Sequence, residues 1–330
     1  MSVCHAGFGK GGRTLPPMTF LRHTDASILA ARPPKNSVDP LRPYAFLIES
    51  ERTARGTVEE MATIFLTNRE CPFRCLMCDL WENTTDETVP AGAIPSQIDY
   101  ALERLPPARH VKLYNSGNFF DARAIPRSDL PAIAERVRGF ETVIVENHPR
   151  LCGESCERFR DLLGTDLEIA LGLETIHPGL LPALNKRMTL DDFERAVGLL
   201  AGADVAVRAF VLLGLPWLED DEAAEWAIRS VEFAFATGVG CCSVIPTRAK
   251  HGLLAHFESE GAFRSPALKM LEQVAEETVR LGRGRAFVDL WDADRLSGCP
   301  HCAAQRIDRM RNMNFTQRIP PAIDCVHCGR

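Results

Sequence analysis

The sequence predicts an α/β fold, a parallel sheet with helices packed outside it. Short apolar runs rich in β-branched residues alternate with amphipathic stretches six times from about residue 60 onward. The runs are apolar nearly throughout, as strands covered on both faces are. The chain has 330 residues, 45% hydrophobic and 25% charged, enough for a sizeable core and an appendage. The alternation admits an open sheet and a barrel equally. In both, functional groups gather at the carboxyl ends of the strands.

Residues 1–55 read as an irregular lead-in, because glycines (Gly7, Gly9, Gly11, Gly12) and prolines (Pro16, Pro17, Pro33, Pro34, Pro40) punctuate them. Residues 56–285 form the repeating core. Its strands are expected at Met61–Thr67, His110–Asn115, Thr142–Glu146, Leu167–Leu173, Val205–Leu213 and Val239–Ile245. The helical periodicity falls near Ser96–Leu105, Ser128–Val137, Glu154–Leu163, Leu190–Ala201, Asp220–Ala236 and Ser265–Leu281, with Ser96 and Ser128 as N-caps. Residues 286–330 break the rhythm and form a small C-terminal module, with one further short strand expected at Ala286–Trp291.

The net charge of −6 excludes a chain that binds polyanions over its whole surface. The longest apolar stretch, Phe233 to Ile245, is interrupted by Thr237, Gly238 and Gly240, so no membrane span or membrane partner is expected. The N-terminus has no apolar block before a small-residue cleavage site. Twelve cysteines without such a signal read as metal ligands or reduced thiols of a cytoplasmic protein.

Cys71-Pro-Phe-Arg-Cys75-Leu-Met-Cys78 follows directly on the first expected strand. Three thiolates on one loop can hold three corners of a cubic four-iron cluster and leave the fourth iron open to a small molecule. A closed zinc site would need a fourth ligand, which Cys4 or His5 could supply. Simple packing of three thiols is disfavoured, since Arg69 and Arg74 beside them would make them reactive. With this spacing in this place, the sequence resembles the radical S-adenosylmethionine superfamily. The resemblance implies a partial (β/α)6 barrel of the radical SAM type, with the 286–330 segment as a four-cysteine metal-binding appendage. It also implies a 4Fe-4S cluster on Cys71, Cys75 and Cys78, and S-adenosylmethionine chelated at the open iron. Electrons would come from a reductase or ferredoxin-type donor, and the reaction would yield a 5′-deoxyadenosyl radical that abstracts hydrogen. Met77 departs from the aromatic residue often found before the third cysteine, as a soft apolar substitute.

The resemblance assigns further positions to the cofactor. Asn115, Ser116 and Gly117 end the second expected strand in a polar turn suited to the methionine amino group, although strand-ending turns of this kind are common without a ligand. Glu174 ends the fourth strand and suits a ribose hydroxyl or an ammonium. Arg208 lies within the fifth strand and needs a carboxylate, the cofactor's or an internal one. Gly214 permits close approach of backbone to a ligand. Gly172-Leu-Glu-Thr, Leu184-Asn-Lys-Arg-Met-Thr, Asp192-Phe, Tyr114-Asn-Ser-Gly-Asn-Phe-Phe-Asp121 and Val143-Ile-Val-Glu-Asn-His-Pro149 resemble the branch with the archaeosine synthase radical subunit and the elongator tRNA-acetylating subunit. That branch implies modification of a tRNA base, in archaeosine synthase a lysine-modified deazaguanine converted to an amidine, although kinship does not fix substrate.

Cys299, Cys302, Cys325 and Cys328 form two C-x2-C knuckles, with a 22-residue spacer between them. Four thiolates satisfy tetrahedral zinc, which the paired knuckles favour over an auxiliary iron–sulfur cluster; His301 and His327 lie inside the knuckles. Arg306, Arg309, Arg311 and Arg318, with Phe315, read as a basic loop able to grip RNA, or as an ordinary solvated one. Cys152, Cys156, Cys241 and Cys242 read as ordinary thiols. Three functions compete: a radical enzyme modifying tRNA, a radical enzyme acting on a small molecule or peptide, and a non-enzymatic zinc-ribbon RNA-binding protein.

Overall fold

The computed structural model describes Phe20 and residues 22–329. Cys4 and His5 lie outside the described residues. Eight strands form one sheet in sequence order: β1 (Ala45–Arg52), β2 (Val58–Phe65), β3 (His110–Tyr114), β4 (Thr142–Asn147), β5 (Asp166–Glu174), β6 (Ala206–Leu213), β7 (Cys241–Pro246) and β8 (Arg285–Val288). From β2 to β8 every neighbour is parallel, and β1 alone is antiparallel, on β2. This is an α/β half-barrel, and the four-cysteine cluster follows its last strand in the sequence.

The helices are α1 (Asp25–Ala30), α2 (Ala93–Leu102), α3 (Leu130–Val137), α4 (Glu154–Leu163), α5 (Leu180–Ala183), α6 (Leu190–Gly202), α7 (Asp220–Thr237), α8 (Gly252–Ser259), α9 (Leu268–Arg280) and α10 (Ala303–Thr316). Connections between the parallel strands carry the outer helices, whose apolar faces bury Ile94, Ile133, Phe159, Phe193, Val231 and Leu271 against the sheet. Thr189 and Asp192 start α6 with a reciprocal capping box at 3.1 and 2.9 Å. Ser96 and Ser128 cap nothing. The α2 terminus is held instead by the Asp129 carboxylate, which accepts from the Gly92 N–H at 2.9 Å, so the cap comes from another element.

Two boundaries differ from the sequence reading. The lead-in contains α1 and the whole of β1. Strand β1 escaped periodicity because its second half, Glu49 to Arg52, is polar; Glu49 and Glu51 turn into the barrel and meet Lys112 and Arg208. The C-terminal segment is not separate either, since β8 pairs with β7 and α10 packs on α9, β8 and β1. The edge of β8 is covered by side chains. Asn314 accepts from the Val288 N–H at 3.0 Å and donates to its carbonyl at 2.9 Å, and Gln317 does the same for Ala286 at 2.8 and 2.9 Å. Two amides thereby satisfy an exposed strand edge.

Inside the barrel the residues stack in layers. A charged floor near the amino ends joins Glu51, Lys112, Glu168, Arg208 and Arg285. Above it lie Phe65, Tyr114 and Phe210, edge to face at 6.2 and 6.3 Å. Inward-facing Phe65, Tyr114, Glu146, Phe210, Leu212 and Ile245 are only half-buried, whereas their outward-facing neighbours are buried. The upper interior is therefore open.

Candidate active site at the carboxyl mouth

The loop bearing Cys71, Cys75 and Cys78 leaves β2 at the carboxyl mouth. Several elements hold it. The Leu76 N–H donates to the Leu184 carbonyl at 2.9 Å, and Asn185, in the left-handed region at φ +54°, donates its side-chain amide to the Arg74 carbonyl at 2.7 Å. The Trp81 indole donates to the Cys78 carbonyl at 3.0 Å. Glu70 gathers Arg32, Lys35 and Arg74 at 2.8, 2.8 and 3.0 Å. Phe73 stacks on His148 with centroids 3.9 Å apart. His148 accepts from the Arg150 N–H at Nδ1 (3.2 Å) and donates from Nε2 to the Lys186 carbonyl (3.0 Å); burial pushes its pKa down to about 3, so it stands neutral. The Leu184–Lys186 segment, notable in sequence only as a resemblance, is thus the support under the cysteine loop.

Asn118 donates to the Cys71 sulfur at 3.1 Å. Burial pushes the Cys75 thiol up to about 12 and raises Cys78 well above its ordinary value, so a bound cation is what would draw off their protons. The three sulfurs do not converge within 4.8 Å of one another as ligands of one ion would, whereas Cys299, Cys302, Cys325 and Cys328 do.

The turn after β3 is built around a residue that sequence reasoning missed. Glu146, at the carboxyl end of β4, accepts the N–H groups of Asn115 at 2.6 Å and Gly117 at 3.2 Å. Burial raises its carboxyl to about 6 against those backbone donors. The available signal was one acid closing an otherwise β-branched strand. Ser116 sits at φ +51° with its hydroxyl 2.8 Å from that of Tyr44. Both side-chain amide atoms of Asn115 are buried without a partner, as are the Thr67 and Thr247 hydroxyls and Asn68 Oδ1. An unmet buried polar atom costs about 1–3 kcal/mol. Such a concentration at the ends of β2, β3 and β7 marks a place shaped for a polar ligand.

Glu174 ends β5 at φ +64° and accepts from Lys186 at 2.6 Å, both buried. Gly172 makes room for this pair, because a Cβ there would overlap both Glu174 Oε1 and Lys186 Nζ. Gly172→Ala is therefore expected to displace the pair and cost about 1–3 kcal/mol, measured as the urea unfolding free energy.

Three sequence assignments are corrected. Arg208 does not reach the mouth. It is the third residue of β6, and its fork is taken by Glu168 at 2.6 Å and Glu51 at 2.5 and 2.9 Å. The internal carboxylate is the one that applies. Gly214, at φ +75°, is approached by the Pro266 ring rather than by open space for a ligand. The basic loop is also absent: Arg306 and Arg309 lie in α10, buried and paired with Glu272. At the opposite end of the barrel, a cavity of about 320 Å³ is lined by Thr53, His110, Glu168 and Arg285. Glu59, His110 and Glu141 come together there, and the Arg109 guanidinium bridges the two carboxylates.

The half-barrel is shared with the archaeal Methanocaldococcus infernus Elp3, at TM-score 0.51 and 14% identity over 66% of this chain and 59% of that one. Solved structures matched at TM-scores of 0.44 and below include the radical SAM enzyme HemN of Escherichia coli and the HMG-CoA lyase of Bacillus subtilis. This chain spans about three fifths of the solved Elp3. In sequence it is 24% identical over 255 residues to an uncharacterized protein of Methanocaldococcus jannaschii, covering 72% of this chain and 70% of that one. It is 23% identical over 270 residues to the archaeosine synthase subunit beta of Methanosarcina acetivorans, covering 77% of each. No family model matches. Among the described residues no helix is long and apolar enough to cross a membrane.

Proposed function

We propose that this chain is a radical S-adenosylmethionine enzyme that modifies a tRNA base. The observation that carries the reading is a three-cysteine loop at the open mouth of a half-barrel, ringed by buried polar atoms that lack partners. Cys71, Cys75 and Cys78 would hold a 4Fe-4S cluster. The Asn115–Gly117 turn and the second oxygen of Glu174 would hold S-adenosylmethionine. When bound, these groups supply reductive cleavage of a carbon–sulfur bond and hydrogen-atom abstraction. The chain's own part is to fix the loop through Glu70, Leu184 and Asn185, to orient the turn through Glu146, and to line the interior with Phe65, Tyr114 and Phe210. Similarity to the archaeosine synthase subunit supports tRNA as substrate. Burial of Arg306 and Arg309 removes one RNA-binding feature and favours, as the second reading, a small molecule or peptide.

For the four-cysteine site the metal we propose is zinc. Tetrahedral zinc with bonds of about 2.3 Å places its sulfurs about 3.8 Å apart; Cys299 and Cys325 lie 3.9 Å apart, and Cys302 and Cys328 3.6 Å. A four-iron cluster binds each sulfur to a different iron and would spread them.

The test is anaerobic reconstitution with iron, sulfide, dithionite and S-adenosylmethionine, with and without cellular tRNA. The expected result is 5′-deoxyadenosine whose formation increases with tRNA. Formation indifferent to tRNA would select the second reading, and no 5′-deoxyadenosine would overturn both.

A further inference from the structure

The sheet has an open seam: β1 and β8 are its two ends and do not pair with each other. Helix α10 lies across that seam. Its C-terminal end supplies Asn314 and Gln317 to the β8 edge, and its Phe315 carbonyl accepts from Arg52 of β1 at 2.9 Å. Arg285 of β8 also donates to the Arg52 carbonyl at 3.3 Å. At its other end α10 starts on the four-cysteine cluster: Cys302 is its N-cap residue, and the Arg306 N–H donates to the Cys302 carbonyl at 3.0 Å.

Arg306 ties this cluster to the barrel. From a buried position it donates to the sulfurs of Cys302 (3.2 Å) and Cys328 (3.8 Å), and it pairs with Glu272 of α9. Glu272 also binds Arg309 at 2.9 Å, and Arg309 reaches the Pro320 and Pro321 carbonyls at 2.7 and 2.8 Å, on the segment leading to the second knuckle. Four thiolates around one divalent cation leave a net charge of two minus. A buried guanidinium with donors on two of those sulfurs fits that charge and makes strong, charge-assisted hydrogen bonds to it. Four neutral thiols would give it no comparable acceptor.

We propose that Arg306 and the metal on Cys299, Cys302, Cys325 and Cys328 form a clasp that holds α10 across the seam, so that metal occupancy sets whether the barrel wall between β8 and β1 stays closed. The proposal rests on the zinc reading of that site. Because coupling between two sites is reciprocal, loosening either end must weaken the other.

Two measurements on the full chain test it. In the first, amide hydrogen exchange is compared between the parent and Arg306→Gln, which keeps all four cysteines. Exchange at Arg285–Val288 and Ala45–Arg52 is expected to accelerate about tenfold or more, with Asp166–Glu174 unchanged. In the second, Asn314→Ala/Gln317→Ala, with the ligand set intact, is expected to bind zinc about tenfold more weakly in competition with a chromophoric chelator. Unchanged seam exchange, acceleration everywhere alike, or unchanged zinc affinity overturns the clasp. Metal analysis of the parent keeps the two readings apart: a chain that takes up no zinc at all defeats the zinc reading, whereas a zinc-loaded chain with an indifferent seam defeats the clasp alone.

Discussion

Replacing Cys75 by alanine is expected to abolish 5′-deoxyadenosine formation while leaving the chain folded. Cys75 is the most buried of the three thiols on the loop and sits beneath it, near Lys186. Two remaining thiolates cannot hold three corners of a cluster, so iron and sulfide content should fall with activity. The loop's other anchors remain: the Leu76–Leu184 hydrogen bond, the Asn185–Arg74 bond and the Phe73–His148 stack involve no cysteine side chain. The thermal unfolding midpoint of the cluster-free variant should therefore lie within a few degrees of the cluster-free parent. Iron retained at the parental level, with activity, would overturn the assignment of the loop.

Arg208→Met is expected to lower stability at neutral pH by about 3 kcal/mol, without touching the cysteine loop. The substitution keeps side-chain bulk but leaves Glu51 with Lys112 alone and Glu168 with Arg285 alone, in a buried layer. Burial by itself would raise both carboxyls. Arg208, with Lys112 at Glu51 and Arg285 at Glu168, outweighs it and holds both below the ordinary range. A depressed carboxyl contributes stability that is complete above its unfolded value, about 4.3, and is lost as pH falls through the folded value. The gap between parent and variant should thus be full at pH 7 and shrink below about pH 4. Urea titrations at the two pH values measure it, and a gap independent of pH would contradict the ion-network account.

How much of this was legible follows from what each signal encodes. Six parallel strands stood out because Val-Ile-Val and its counterparts form short, mostly apolar, β-branched runs between helical stretches. Strand β1 did not, since half of it faces a charged interior and its pattern imitates a surface segment. The cysteine loop drew attention through its spacing together with its place directly after the first expected strand. The partners that hold it were not, because Asn118, Glu146, His148 and Lys186 are brought in from other elements by the fold. Arg208 was misassigned for a related reason: a buried charge in a strand announces a need for a partner but not which end of the barrel provides one. Arg306 and Arg309 looked like loop residues between knuckles, although Ile307, Met310 and Met313 at three-residue intervals already marked the buried face of a helix.

The ion-paired layer at the base of the barrel has a consequence for traffic. Glu51, Lys112, Glu168, Arg208 and Arg285 interlock across the base, and two of them, Glu168 and Arg285, also line the cavity at the amino end. On the proposed reading, a substrate approaches the cysteines from the carboxyl mouth, the end away from these charges.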